Sequence, residues 1–136
     1  MDDVIVNKVS VIERCLERVR EVHRGDHATL DDPTLQDSIV LNLQRACEAS
    51  IDLGMHLVRR RRLGVPQDSR EVFEMLVRGA ALDAHLAQRL QRMVGFRNIA
   101  VHDYQALNLA ILRAIIEDHL SDLLAFARWA LAAQEA

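Results

Sequence analysis

The longest helical pattern in this chain is DPTLQDSIVLNLQRACEASIDLGMHLVRRRRLGVP, residues 32–66. Asp32 before Pro33 is typical of a helix start, because the carboxylate accepts from free backbone N–H groups and proline fits the first turn. Small and apolar residues then recur every three or four positions, which predicts one buried stripe: Leu35, Ile39, Leu43, Ala46, Ser50, Leu53 and Leu57. Because Gly64 and Pro66 stop the pattern, we predict a single long helix from Pro33 to about residue 62.

Four further helices are predicted around this stretch. The first spans residues 3–24 and ends at Gly25, and a short third helix opens at the capping-box sequence DSRE, residues 68–71, and closes at Gly79. The fourth begins near Asp83, and the fifth runs from about Asn108 to Ala133 with an apolar face of Leu109, Leu112, Ile116, Leu120 and Leu123. The sequence therefore predicts an all-α bundle of four long helices and one short helix, in a single domain over residues 1–136.

The composition narrows the class of protein. Half of the residues are apolar, which suffices for a hydrophobic core. No apolar run approaches the length of a membrane span, and the N-terminus carries acidic residues where a signal peptide is basic, so we expect a cytoplasmic protein. Cys15 and Cys47 lie at apolar helical positions and are expected to be reduced and buried. The net charge of −3 argues against a protein that coats nucleic acid by bulk charge.

The stretch RNIAVHDY, residues 97–104, places an arginine, a histidine and the only tyrosine of the chain close together. Asn98 and His102 are four residues apart and share one helix face, so Asn98 is expected to hold one imidazole nitrogen and leave the other free. Arg97 adds a permanent cation with forked N–H donors. Tyr104 follows Arg97 by seven residues and lies on the same side if the helix persists.

This set of groups suits metal-independent cleavage of RNA. The ribose 2′-hydroxyl must lose a proton, the leaving 5′-oxygen must gain one, and the phosphorane needs positive charge beside it. Histidine can carry a proton near neutral pH, and arginine can bind phosphoryl oxygens. One histidine cannot be acid and base in the same step, so a two-fold dimer that joins two copies of the motif is expected.

The motif resembles the R-x4-6-H-x-Y signature of HepT toxins, the HEPN-domain members of HEPN/MNT toxin–antitoxin systems. The resemblance extends over most of the chain, in TLQDSIVLNLQRACEASIDLG (34–54), LGVPQDSREVFEML (63–76) and MVGFRNIAVHDYQALNL (93–109). It implies a homodimeric HEPN-type helical bundle that acts as a type VII toxin and cleaves tRNA or mRNA by 2′-hydroxyl attack, without cofactor or metal. Arg97 and His102 would be the catalytic pair, with Asn98 in support.

The resemblance also implies a means of silencing. Tyr104 matches the tyrosine on which the cognate MNT antitoxin, a small nucleotidyltransferase, places AMP. AMP on Tyr104 would add bulk and negative phosphate beside Arg97 and His102, and so compete with substrate phosphate. We therefore expect RNA, a second copy of the chain and an MNT antitoxin as partners.

Other charged residues admit two interpretations. Arg89 and Arg92 lie upstream of the motif, and Arg59 and Arg60 begin a four-arginine run at the end of the second predicted helix. Either set could contact the RNA backbone. Alternatively, Arg89 and Arg92 form a solvated helix face, and Arg59 and Arg60 compensate the dipole at a helix end. Glu48 and Asp52 are like charges four residues apart and are expected to face an arginine across the bundle or across a dimer.

Two other classes of protein remain open from the sequence. The chain could be a non-catalytic module in which the motif grips a nucleotide or a partner without turnover. It could also be a structural adaptor, in which Arg97 forms a salt bridge and His102 stabilises a helix end. Cleavage of RNA in excess EDTA, lost on His102→Ala, distinguishes the ribonuclease from both.

Overall fold

A computed structural model describes residues 2–134, and every regular element within that range is helical. In chain order the elements are α1 (Asp3–His23), a 3₁₀ turn (His27–Asp31), α2 (Pro33–Arg60), α3 (Ser69–Ala80), α4 (Ala84–His102), a second 3₁₀ turn (Tyr104–Ala106), α5 (Leu109–Ala114), a π-helical turn (Ile115–His119) and α6 (Leu120–Ala133). The all-α prediction is confirmed. None of the helices in this range is long and apolar enough to span a bilayer.

Aspartates begin the long helices, as the sequence predicts for α2. The Asp32 carboxylate accepts from the backbone N–H groups of Thr34 and Leu35, and Pro33 occupies the first turn. Asp2, Asp68 and Asp83 cap α1, α3 and α4 in the same way. Each cap satisfies N–H groups that have no partner within the helix.

The core lies where α1 packs along α2 and where α3, α4 and α6 close over them. Leu16, Leu43 and Leu53 are fully buried. Phe126 of α6 meets Phe73 of α3 edge-on, with ring centroids 5.4 Å apart. Cys15 and Cys47 are buried free thiols, as predicted. The helical stripes read from the sequence therefore do form one shared core.

The C-terminal helix differs from the prediction. A π-helical turn interrupts the segment that the sequence presents as one regular helix. Ile115 and Leu120, five residues apart, are both buried, which matches the five-residue hydrogen-bond spacing of a π turn. Ile116 is partly buried and packs against the core, as predicted, whereas Leu109 is 36% exposed, so its prediction on the buried face was wrong.

Candidate active site

The motif lies at the C-terminal end of α4 and in the linker that follows. α4 ends at His102, and Asp103 takes a non-helical conformation (φ −152°, ψ 64°) while its N–H still donates to the Ile99 carbonyl. Tyr104 therefore belongs to the 3₁₀ turn and not to α4. Arg97 and Tyr104 would share one side only if the helix persisted to residue 104, and it stops between them.

Arg97 is a largely buried cation that keeps unused hydrogen-bonding capacity. Its side chain is 28% exposed, and its Nε lies 4.0 Å from Glu48 Oε1 on α2. Arg97 Nη1 donates to Asn98 Oδ1 at 2.9 Å. Arg97 Nε is buried and makes no hydrogen bond within residues 2–134. Because Nε is buried and faces Glu48, a phosphoryl oxygen can approach only those N–H groups of the guanidinium that reach solvent.

Glu48 and Arg97 together set the surroundings of Cys47, which lies beneath them. Burial, reinforced by the negative charge of Glu48, raises the pKa of the Cys47 thiol to about 12, and the Arg97 guanidinium opposes this shift. Cys47 is therefore an unreactive core thiol and takes no part in the chemistry of the motif. Glu48 faces an arginine within the bundle, as predicted, whereas Asp52 pairs with a lysine, Lys8, at 3.2 Å.

His102 stands exposed on the last turn of α4. Within the described part of the chain its ring makes no hydrogen bond, and the predicted contact with Asn98 is absent because the Asn98 amide oxygen accepts from Arg97 instead. Asn98 thus orients the guanidinium and not the imidazole. His102 is open to a substrate or to a second molecule.

Tyr104 reaches across to the N-terminal part of α2. Its hydroxyl donates to Asp37 Oδ1 at 2.5 Å, a contact between residues 67 positions apart in the chain. The ring burial and the Asp37 carboxylate, in that order, raise the pKa of Tyr104 to about 12. The side chain remains 39% exposed, so the hydroxyl is both held and accessible.

One face of α2 carries both contacts to the motif. Asp37, Leu41, Gln44 and Glu48 follow each other at spacings of four, three and four, which places them on a single helical stripe. Glu48 near one end of the stripe faces Arg97, and Asp37 at the other end holds Tyr104. Sequence reasoning singled out Glu48 but missed Asp37 and Gln44, although the spacing that joins them is visible in the sequence.

Several large apolar side chains are exposed around the motif. They include Leu41 (43%) on α2, Ile99 (41%) and Val101 (44%) on α4, and Ile111 (54%) on α5. Single exposed apolar residues are ordinary, but a group of them beside charged functional groups is typical of a protein interface. We refer to Leu41, Ile99, Val101 and Ile111 as the exposed apolar group.

A groove of 390 Å³ lies between α4, the linker and α5. Its walls are apolar, and its polar lining comes from Arg70, Arg89, Arg92, Asn108 and His119. Ile99 also lines the groove and precedes His102 by three residues, so the groove opens on the side of α4 that carries His102. This arrangement is a cationic groove next to the motif.

The two predicted RNA-binding arginines of α4 differ in their environment. Arg89 Nε is bound to the buried carboxylate of Asp122 at 2.9 Å, and His119 Nδ1 contacts the other oxygen of Asp122 at 2.8 Å. Arg92 is exposed at the groove, with no hydrogen bond or ion pair within residues 2–134. Arg92 is therefore the freer of the two for phosphate.

The arginine run at the end of α2 lies away from the motif. Arg60 Nη1 pairs with the Asp2 carboxylate, which also contacts His56 Nε2 at 2.7 Å. The His56 hydrogen bond, with that of Arg60, holds the pKa of Asp2 well below its usual range. Arg59 is exposed, but it follows Glu48 by about 16 Å along α2, from the helical rise per residue. The structure therefore does not bring Arg59 and Arg60 together with Arg97 and His102.

Metal ligands are not assembled in the described part of the chain. Residues 2–134 contain no group of three or more histidine, cysteine or acidic side chains placed to hold a metal ion.

Comparison with known proteins identifies the class. Residues 12–129 match the sequence profile of the family described as Ribonuclease HepT-like. The chain is 47% identical over 122 residues to the mRNA nuclease HepT of Shewanella oneidensis, which covers 90% of this chain and 92% of that protein. Fold and motif together thus define a HEPN-type ribonuclease. The chain belongs to the HepT-like ribonuclease family.

Solved structures agree with this assignment. The fold superposes on a tri-AMPylated HEPN toxin of Shewanella oneidensis in complex with MNT antitoxin, with a TM-score of 0.91 at 45% identity over 97% of this chain and 99% of the other. It superposes equally on a toxin–antitoxin complex with AMP-PNP, with a TM-score of 0.91 at 45% identity over 96% and 99%. The predicted HEPN-type bundle and endoribonuclease class are confirmed.

Proposed function

We propose that this chain is the toxin of a HEPN/MNT toxin–antitoxin pair and cleaves RNA in the cytoplasm without a metal ion. The observation that carries the proposal is the end of α4, where an exposed His102 follows a partly exposed Arg97 whose guanidinium is held by Asn98 and Glu48. The family match supports the reaction class. The relative's description as an mRNA nuclease favours mRNA over tRNA as the substrate.

The groups divide the reaction between them. The ribose 2′-hydroxyl attacks the adjacent phosphorus, the bond to the 5′-oxygen breaks, and a 2′,3′-cyclic phosphate remains. His102 transfers a proton, and Arg97 binds the oxygens on which negative charge develops. Asn98 holds the guanidinium through its 2.9 Å contact to Nη1, which fixes the direction of the remaining N–H donors.

A homodimer completes the site. Cleavage needs a proton acceptor and a proton donor together, and one protomer supplies a single exposed histidine at the end of α4. The exposed apolar group surrounds this position and would be buried by a second copy related by a two-fold axis. Two His102 rings and two Arg97 guanidiniums would then enclose one scissile phosphate.

The RNA backbone would continue from this cleft along the cationic groove. Arg92 is free to bind a phosphate, and Arg89 contributes charge although Asp122 neutralises part of it. Arg59 and Arg60 lie farther away and would contact only a long RNA.

The antitoxin would act on Tyr104. An MNT nucleotidyltransferase would transfer AMP to the exposed hydroxyl and thereby add bulk and negative charge two residues after His102. The tri-AMPylated state of the similar toxin and its complex with MNT antitoxin support this regulation. Modified Tyr104 would occupy the cleft and exclude RNA.

The decisive experiment is cleavage of a defined RNA by the purified protein in excess EDTA. We expect the unmodified protein to cut and to leave a cyclic phosphate end, and His102→Ala or Arg97→Ala to lower the rate by at least about a hundredfold. His85→Ala is the matched control, because His85 is an exposed histidine at the other end of α4. Equal cleavage by wild type and His102→Ala would contradict the proposal, as would complete inhibition of the wild type by EDTA.

A further inference from the structure

Asp37 has a different kind of hydrogen-bond partner from the other aspartates described below. Asp26, Asp32, Asp68 and Asp83 cap backbone N–H groups, and Asp2, Asp52 and Asp122 pair with basic side chains. Asp37 instead accepts the phenolic proton of Tyr104 at 2.5 Å, and no basic side chain within residues 2–134 lies within ion-pair distance of it. Its charge is therefore available to the hydroxyl alone.

The hydroxyl must lose its proton if it is to become a phosphate ester. Burial and Asp37 raise the pKa of Tyr104 to about 12, so the free phenolate is scarce at neutral pH. Attack by the neutral hydroxyl makes the phenolic O–H strongly acidic as the oxygen–phosphorus bond forms. A carboxylate already bonded to that proton can accept it at this stage, although it would not do so beforehand.

We propose that Asp37 positions the Tyr104 hydroxyl and accepts its proton when the tyrosine receives AMP. This inference rests on the proposed function, since it assumes a nucleotidyltransferase partner that supplies ATP. Tyr104 Oη forms a bond to the α-phosphorus of ATP, and the bond from that phosphorus to the bridging oxygen breaks. Pyrophosphate leaves with the electron pair, and the phenolic proton passes to Asp37 and then to water.

Accessibility agrees with this role. Tyr104 is 39% exposed, and Asp37, the fifth residue of α2, is exposed as well. The nucleotide can therefore approach the hydroxyl from solvent. The hydrogen bond to Asp37 directs the O–H toward α2 and leaves the oxygen lone pairs free on the other side. The same contact fixes the linker after α4, so the attacking oxygen is held in place before the partner arrives.

The test compares three changes at one position. Asp37→Asn keeps the shape and an oxygen acceptor but removes the basicity, Asp37→Ala removes the contact, and Asp37→Glu restores a carboxylate. Each variant is incubated with the cognate antitoxin, Mg²⁺ and ATP, and the first AMP adduct is followed by intact-protein mass spectrometry. Asp31→Asn is the matched control, because it removes one exposed carboxylate just before α2 without a contact to Tyr104.

We expect both Asp37→Asn and Asp37→Ala to lower kcat for the first AMP transfer by about a hundredfold, with KM for ATP unchanged and partial recovery in Asp37→Glu. Cleavage of RNA by the unmodified variants should equal that of the wild type, which also shows that they fold. Asp37→Asn at the wild-type rate would overturn the inference and reduce Asp37 to a support for the linker.

The same experiment separates this inference from the proposed regulation. Failure of the wild type to be modified, or full modification of Tyr104→Phe, would refute Tyr104 as the target and with it the role of Asp37. Modification of the wild type but not of Tyr104→Phe, together with full-rate modification of Asp37→Asn, would refute the role of Asp37 alone.

Discussion

Along α1 and α2, large apolar side chains that face the partner helix are fully buried, among them Ile12, Leu16 and Leu43. Between the last turn of α4 and the start of α5, comparable side chains remain between 36% and 54% exposed: Ile99, Val101, Leu109 and Ile111. The charged side chains of the two regions also differ in how completely they are paired. Lys8 and Asp52 pair across α1 and α2, whereas Arg97 Nε has no hydrogen bond within residues 2–134.

The difference separates residues that serve folding from residues kept for other molecules. In the α1–α2 region, apolar spacing, helix caps and ion pairs all favour the same structure. At the end of α4 the chain leaves apolar side chains exposed and an imidazole without a hydrogen bond within residues 2–134, and local disagreement of this kind is expected at functional sites. The unfilled interactions at the end of α4 are those that RNA and a second protomer would supply.

The largest effect on stability is expected in the α1–α2 region. Leu43 is fully buried on α2, so Leu43→Ala removes apolar burial and leaves a cavity, which costs about 2–5 kcal/mol of unfolding free energy. Urea unfolding at a fixed protein concentration measures the loss. A cost below about 1 kcal/mol would show that this part of the core repacks freely and that the α1–α2 region is less tightly packed than its burial suggests.

Charge placed on the exposed apolar group should act on assembly and not on the fold. Val101→Asp is expected to leave the helical content unchanged, to convert dimer into monomer and to lower RNA cleavage at least about a hundredfold, because the two copies of His102 no longer meet. Sedimentation and the cleavage assay measure these outcomes.

Val65→Asp is the matched control for that substitution. Val65 is 82% exposed in the loop between α2 and α3, away from the motif, and should tolerate the same charge without loss of assembly or activity. A fully active dimer of Val101→Asp would remove the exposed apolar group from the interface.

The sequence predicts the two regions unequally. The helices and their caps follow from local spacing, which is why Asp32–Pro33 and the stripe of α2 were predicted correctly. The spacing also predicts that Asn98 and His102 share one face of α4, since four residues of helix define their relation. The Tyr104–Asp37 contact joins residues 67 positions apart and depends on how α4 ends, which no local pattern specifies.

Asn98 shows a second reason why sequence spacing does not predict every contact of the site. Its spacing to His102 was read correctly, but an adjacent guanidinium competes for the same amide oxygen and is bonded to it in the structure. A permanently charged donor forms a strong hydrogen bond, and Arg97 is the group bonded to the amide oxygen. Spacing alone predicts which groups are near each other, whereas the choice among several partners depends on charge and burial.

The smallest predicted effects come from the same substitution made in both regions. At Gly54 of α2, a new Cβ would lie 2.7 Å from Val72 Cγ1, with Leu76 and Phe126 behind it. At Gly95 of α4, the nearest atom is Arg70 Nη2 at 3.1 Å, the end of a flexible and exposed side chain.

Gly54→Ala should cost about 1–2 kcal/mol, because crowding in the packed core exceeds the helical preference of alanine. Gly95→Ala should be neutral or stabilising by up to about 1 kcal/mol, because Arg70 can move aside while the helix gains the same preference. Opposite signs in urea unfolding would show that α2 is close-packed at this point and that α4 is not. Equal destabilisation at the two glycines would mean that Arg70 is held as rigidly over α4 as Val72 is over α2, and that the groove beside His102 is part of the packed core.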